Sequence, residues 1–474
     1  MKRLHIALLL LGMLTAAVNA LKAENNDVSV SQHLPERWEY YPSAEGRLIS
    51  VDDRWWQNFN DSLLDTLVQR GLEANYDIKI AARNITISLN TYKAARSGYF
   101  PTLSVQAGWN KQRVSGLTGS TPMPATTSHY WTGEVGVSWQ IDLFGKITGQ
   151  AQSKKSLWQA SQAEWAGTML TVASQIITEY IDLRAAQMQL DIMQRHAQSQ
   201  LDIVEMVLER KDAGVASMLD VAQAKTVYYS TLANIPALEN TIAGCINAIA
   251  QLLGTYSAHL PGGIFNTPSS LPQFEQLVET GIPMDLLRRR PDIVEMEKNV
   301  ASYAALLGVA KKDFLPTLTL EGTISTSATQ IGKLFTRPGI GYTIAPTLSW
   351  SFATGGEQTY NVRTARENLE NEIDSYNTTV IAAVEETNNA LSGYYTAMRH
   401  IRLIDDVNVW AQKQLDLSVN LYRDGLSAFS NVVDAQETVL EYATQAVTAR
   451  GTALTSLVQI YVALGGGWDA EEIK

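Results

Sequence analysis

The residue types that usually carry chemistry are scattered in this chain. Six histidines (His5, His33, His129, His196, His259 and His400) fall at no metal-ligand spacing. Cys245 is the single cysteine, which rules out an intrachain disulfide and a cysteine metal cluster. Neither a Gly-x-Ser-x-Gly nucleophile turn nor a phosphate-binding glycine loop is present. No enzyme, cofactor or bound metal is expected. Spacing does bring two polar groups together just past Gly425: Ser430 and Asp434 stand four apart and so share one helix face. Function must therefore come from how long elements are assembled rather than from a reactive cluster.

Two of those elements dominate. The stretch from Lys146 to Asp212 opens after Gly145, closes before Gly214, contains no proline and carries apolar residues at helical spacing. A helix of that length would run roughly 100 Å at ~1.5 Å per residue. A second stretch, Glu357 to Asp424, follows Gly355-Gly356 and ends before Gly425. Leu190, Met193, Ala197, Leu201, Val204 and Leu208 step by three and four, the narrow seam of a coiled-coil-like assembly with polar outer faces.

Between helical stretches the period changes to two. Leu103, Val105, Ala107 and Trp109 alternate with Thr102, Ser104, Gln106 and Gly108, and Trp131, Val135, Val137, Trp139 and Ile141 with Thr132, Glu134, Gly136, Ser138 and Gln140. Leu318, Leu320 and Ile324 repeat the pattern, and the return strand sets Tyr342, Ile344, Leu348, Trp350 and Phe352 against Thr343, Thr347, Ser349 and Ser351. Trp109, Trp131, Trp139 and Trp350 are expected on the apolar, lipid-facing side, with hydroxyl and amide residues toward water. A soluble sandwich would alternate too, but it would not be inserted between helices of this length.

Charge and hydropathy set the compartment. A net charge of −11 gives nucleic acid no electrostatic attraction. Lys2 and Arg3, the apolar run Ile6 to Ala17 and then Val18-Asn19-Ala20 have the order of a secretory signal peptide, cleaved near Ala20. No cysteine stands near that site, so the mature chain is expected to be non-lipidated. No other run approaches the ~18 apolar residues of a spanning helix. A membrane role must then use strands. One chain supplies four, fewer than the eight of the smallest bacterial barrels, and an open edge is not tolerated in lipid. The barrel must be shared between chains.

The chain is also a duplication. Asn75-Tyr76-Asp77-Ile78 matches Arg290-Pro291-Asp292-Ile293 and Pro101-Thr102-Leu103 matches Pro316-Thr317-Leu318. Ser138-Trp139, Gly214 and Leu253-Gly254 match Ser349-Trp350, Gly425 and Leu464-Gly465. The resulting division is a signal peptide 1–20, an irregular segment 21–60, a first repeat 61–254, a linker 255–283, a second repeat 284–465 and a tail 466–474. The first repeat reads as helix, hairpin 101–143, long helix 146–213 and helix 217–253, with Pro236 a possible kink. The second reads as helix, hairpin 316–353, long helix 357–424 and helix 427–464.

At this point the chain resembles the TolC family of outer-membrane efflux proteins, in the branch that serves resistance-nodulation-division pumps. The resemblance covers residues 35 to 468. It is carried by Leu287-Arg288-Arg289-Arg290-Pro291-Asp292-Ile293, the hairpin-opening prolines, Asp142-Leu143-Phe144-Gly145, Tyr422-Arg423-Asp424-Gly425, Asp434-Ala435-Gln436 and the ending Ala463-Leu464-Gly465-Gly466-Gly467-Trp468. It implies a mixed α and β membrane protein: a transmembrane β-barrel shared between three protomers, continued by a long α-helical periplasmic barrel. It implies a passive exit duct for drugs, detergents or similar small molecules, driven by an inner-membrane pump through a periplasmic adaptor. The same fold could serve polypeptide secretion or metal-ion efflux, and a coiled-coil surface scaffold is a non-transport alternative. The resemblance further places Gly214 and Gly425 at the periplasmic tip that meets the adaptor. It places Asp220, Tyr422, Asn431 and Asp434 at a periplasmic gate, with Asp434 pointing into the pore; Ser430 joins them by sharing Asp434's helix face, and Asp220 is expected to accept a hydrogen bond from Tyr422. Ser427 stands where some relatives carry a basic latch, with Arg423 a possible substitute, and Arg288 to Arg290 are expected to be structural.

Overall fold

The computed structural model describes residues 54–115, 124–260, 265, 270–272, 274, 289–351, 354–466 and 468. The expected leader, Arg288 and Phe352 lie outside them. Eleven main elements follow in order. The first repeat comprises α1 (Ser62–Ala74), α2 (Tyr76–Ser97), β1 (Thr102–Val114), β2 (Thr126–Ile141), α3 (Lys146–Asp212) and α4 (Met218–Leu252). The second comprises α5 (Pro291–Lys312), β3 (Thr317–Ala328), β4 (Ile340–Ser349), α6 (Glu357–Arg423) and α7 (Phe429–Ala463). Matching helices have equal lengths: 22 residues in α2 and α5, 67 in α3 and α6, 35 in α4 and α7.

The helical stretch that begins at Asp61 is two helices rather than one. Asn75 divides it. Its Oδ1 accepts from the backbone N–H of Asp77 (2.7 Å) and Ile78 (3.2 Å), which caps α2, while its Nδ2 donates to the Leu252 carbonyl at the end of α4 (2.9 Å). Arg290 takes the same place in the second repeat, and its Nη1 donates to the Ala463 carbonyl at the end of α7 (3.1 Å). Arg290 is buried and also pairs with Asp292 and Glu386, each at 2.7 Å.

The chain forms two compact units, divided near residues 84, 160, 295 and 376. The unit that holds most helical residues has a core built around Trp55, Phe59, Leu64, Ile176, Ile177, Tyr180, Ile181, Leu457 and Tyr461. The indole of Trp55 stacks on Tyr461 at 4.7 Å. Each such fully buried side chain contributes roughly 1.5–3 kcal/mol. Asp61 caps α1 through Leu63 and Leu64 and also accepts the Tyr180 hydroxyl of α3 at 2.7 Å. Burial first, and then that bond to Asp61, pushes the Tyr180 phenol up to about 12, with Arg184 opposing.

The other unit contains one antiparallel sheet in the order β1-β2-β3-β4, so β1 and β4 are its edges. The strands run 13, 16, 12 and 10 residues, enough to cross a membrane at a tilt. Within the hairpin expected over 101–143, β2 already begins at Thr126 and ends at Ile141. Asp142 ends the hairpin and starts α3: its carboxylate accepts from Ile147 N–H and Thr148 N–H, both at 2.9 Å, and from the Thr148 hydroxyl at 2.6 Å. At the same end of the sheet Lys312 donates to the Gly145 carbonyl at 2.7 Å and Lys146 pairs with Asp313.

Candidate functional site

The register settles which residues share a face. Leu103 lies opposite Val137, which lies opposite Gly322 and then Ile344; Val105 follows through Val135 and Ile324 to Tyr342. Trp109 faces Trp131, and Trp139 lies beside Leu320 on the same side. The opposite face carries Ser104, Gln106, Asn110, Thr132, Glu134, Ser138, Glu321, Thr323, Ser325 and Thr343. The apolar face is open: Val105 is 74% exposed and Ile344 73%. In water such a face would be a liability, and in hydrocarbon it is the stable arrangement.

The tryptophans divide by role. Trp109 and Trp131 form a cross-strand pair, and Trp131 and Trp139 bracket roughly 25 Å along β2 at ~3.3 Å per residue. Trp350 lies past the last residue of β4, in contrast to the expectation from alternation. Its indole N–H donates to the Phe314 carbonyl at 3.0 Å, as that of Trp139 donates to the Tyr99 carbonyl at 3.0 Å. Each hairpin is closed at its base by the same indole bond to the residue two before its opening proline.

At the far ends of the long helices the two repeats make the same turn. Gly214 has φ +76° and Gly425 φ +75°. Val215 N–H donates to the Arg210 carbonyl (2.9 Å) and Leu426 N–H to that of Leu421 (2.8 Å), the closing bonds of a left-handed helix cap. A Cβ at either glycine would meet open space, so glycine serves the backbone conformation and not a tight contact. Val215, Met218, Leu219 and Leu426 stand exposed around these turns.

Behind the turns lies a small core of Ile203, Val204, Val207, Val221, Ala224, Leu415, Tyr422, Phe429, Val432 and Ala435. Tyr422 is its polar member. The ring is buried against Phe429 in an edge-on contact at 5.0 Å. Its hydroxyl donates to Asp220 Oδ2 at 3.2 Å, and the Arg210 guanidinium sits 5.0 Å over its centroid. Arg210 also donates to the Arg423 carbonyl at 2.6 Å. Burial first, then the Asp220 charge and bond, raise the Tyr422 phenol, and Arg210 opposes them. Asp220 is fixed from its own side by a reciprocal cap with Ser217 at the start of α4.

The structure thus brings Asp220 and Tyr422 together. Asn431, the counterpart of Asp220, donates instead to Ser427 Oγ at 2.8 Å. Ser430 and Asp434 share an exposed face of α7 and take no part in the Tyr422 cluster. Arg210, which links α3 to the end of α6, was not among the residues singled out from the sequence. Its position in the last turn of α3, where a cation meets free carbonyls, was the available signal. Among the described residues no cluster of three or more His, Cys, Asp or Glu could hold a metal ion, and no helix is long and apolar enough to cross a membrane.

The family model for outer membrane efflux protein matches residues 67–255 and again 282–466, once for each repeat. Nodulation protein T of Rhizobium leguminosarum bv. trifolii is 30% identical over 438 residues, 90% of this chain and 91% of that protein. The probable efflux pump outer membrane protein TtgC of Pseudomonas putida is 25% identical over 445 residues, 93% and 91% of the two chains. Among solved structures, the outer-membrane channel OprN superposes with a TM-score of 0.84 at 24% identity, over 93% of this chain and all of that one. The CmeC outer membrane channel of Campylobacter jejuni gives 0.84 at 20%, over 94% and 96%. With its four strands, its paired helix repeats and a match to the family model over each repeat, the chain belongs to the outer membrane efflux protein family.

Proposed function

We propose that three copies of this chain close one duct, each giving four strands to a twelve-stranded barrel and four long helices (α3, α4, α6 and α7) to a periplasmic conduit. The observation that carries this reading is the sheet: an apolar face, a polar face and two unpaired edges, β1 and β4. Free edges cannot persist in lipid, so each β1 must meet a neighbour's β4. The polar face then lines a wet lumen, and the duct itself is passive.

The exposed apolar turns at Val215, Met218, Leu219 and Leu426 are where a periplasmic adaptor would dock, with an inner-membrane pump of the resistance-nodulation-division type supplying the energy. Relatives named as toluene and solvent efflux pump outer membrane proteins of Pseudomonas putida favour small-molecule cargo. The gate in this reading is the contact of Tyr422, Asp220 and Arg210 behind the tip, with Asp434 from three copies forming an anionic ring that prefers cations. An adaptor opens it only by binding the open arrangement more tightly than the closed one.

The test is to delete the gene in its host and measure accumulation of a fluorescent efflux dye with the secreted proteins. The dye should accumulate while the secreted proteins stay unchanged. Normal dye levels with loss of a secreted polypeptide would replace small-molecule efflux by polypeptide export.

A further inference from the structure

The outer half of the sheet carries a charge bias that export through the lumen does not explain. Among the described residues, 101–115, 124–133 and 322–351 contain no Asp or Glu, yet they hold Lys111, Arg113, Lys333 and Arg337. The whole chain has net charge −11. The two carboxylates of the sheet, Glu134 and Glu321, pair with Gln106 and Ser138 on the lumen side. At the opposite end, beside the helices, Lys146 and Lys312 are engaged by Asp313 and the Gly145 carbonyl. Lys111 and Arg113 form no ion pair with any described residue.

Register decides which way these two cations face. Two-residue steps along β1 carry the apolar face from Val105 through Ala107 and Trp109 to Lys111 and Arg113. Across the ladder, Trp109 meets Trp131, Lys111 meets His129 and Arg113 meets Thr127. The lipid face thus ends in a tryptophan pair followed at once by two exposed cations and a histidine. Aromatic girdles mark the boundary between hydrocarbon and headgroups, so Lys111 and Arg113 stand at headgroup depth, outside the barrel. They lie at the hairpin end, opposite the ends of α2, α3, α5 and α6, and therefore in the leaflet away from the periplasm.

We infer that Lys111 and Arg113 bind the phosphate groups of a phosphorylated outer-leaflet lipid docked against the Trp109–Trp131 pair. Alternate residues of one strand face lie roughly 7 Å apart, so the two can grip one headgroup together. Arginine offers a planar fork for two phosphate oxygens and lysine a mobile point charge. The acyl chains of the same lipid would lie along Val105, Val135 and Ile324, which are exposed below the tryptophans. The inference rests on the outer-membrane placement of the sheet and is independent of cargo and gating.

Native mass spectrometry of the purified full-length protein, titrated with diphosphoryl lipid A or with phosphatidylethanolamine, tests it. Each cation at an anionic lipid surface is worth about fivefold, and the pair about thirtyfold. Wild type should retain diphosphoryl lipid A in preference to phosphatidylethanolamine. Lys111→Gln with Arg113→Gln should weaken lipid A about thirtyfold and leave phosphatidylethanolamine unchanged, and Lys111→Gln alone should give about fivefold. The charge-conserving pair Lys111→Arg with Arg113→Lys should retain binding, as should Lys154→Gln with Lys155→Gln on α3. Equal retention of the two lipids by wild type, or unchanged lipid A binding in the double glutamine variant, would overturn the assignment. Loss of the membrane placement itself would read differently, as failure to retain either lipid.

Discussion

Tyr422→Phe is the smallest change that separates packing from gating at the helix tips. It keeps the ring, its edge contact with Phe429 and the Arg210 cation above it, and removes only the hydroxyl that reaches Asp220. A hydrogen bond to a charged acceptor contributes about 1.5–3 kcal/mol. Asp220 is only half-buried and keeps its cap on Ser217, so the low end, about 1.5 kcal/mol, is the expected loss per protomer. In the proposed trimer, three tips opening in concert would lose roughly 4–5 kcal/mol, which shifts the closed-to-open ratio by about three decades. Single-channel recording in planar bilayers should therefore show a tightly closed wild type and long openings in Tyr422→Phe. Asp220→Asn, which keeps an acceptor but removes the charge, should fall between them. Wild-type conductance and open probability in Tyr422→Phe would refute the reasoning and move the constriction elsewhere.

Asp434→Ala should lower the cation preference of the channel without lengthening its openings, measured as a reversal potential under a salt gradient. Val135→Arg, midway between Trp131 and Trp139 on the lipid face, should cost roughly 2–4 kcal/mol and prevent membrane assembly, whereas Ser138→Arg on the lumen face should assemble normally. Arg290→Met strands Asp292, Glu386 and the Ala463 carbonyl; because both carboxylates reach solvent, thermal unfolding should register roughly 2–3 kcal/mol rather than the full buried-pair value. His196 is buried, and burial lowers its pKa while the Gln436 carbonyl partly offsets this. A folded pKa below the unfolded 6.5 gives stability that is present above pH 6.5 and lost as pH falls through the folded value. Wild type should melt lower at pH 5 than at pH 7.5 by a margin that shrinks in His196→Leu.

How much of this was readable in the chain depends on how local each signal is. The strands were legible because one face of the sheet is apolar and the other polar, so Val105 and Gln106 differ in kind as well as position. The long helices were legible because proline is missing and Gly145, Gly214, Gly355 and Gly425 punctuate them. The break at Asn75 was hidden, since the carbonyl that holds its side chain belongs to Leu252, 177 residues on. Trp350 continues the alternation of β4 just past the end of the ladder, so alternation alone overextends the strand, and its indole bonds the Phe314 carbonyl as that of Trp139 bonds Tyr99. The pairing of Tyr422 with Asp220 was reached only through family resemblance. Arg210 was missed because its partners, Tyr422 and Arg423, lie in the other repeat and no pattern within α3 points to them.

The central claim is that one chain supplies a third of a closed barrel. Native mass spectrometry of the detergent-solubilised protein, with circular dichroism on the same sample, tests it most directly. The account predicts a species of three chains that retains strand signal and that loses the signal when dissociated. A folded monomer that keeps its β-structure, or a stable assembly of two or four chains, would contradict it.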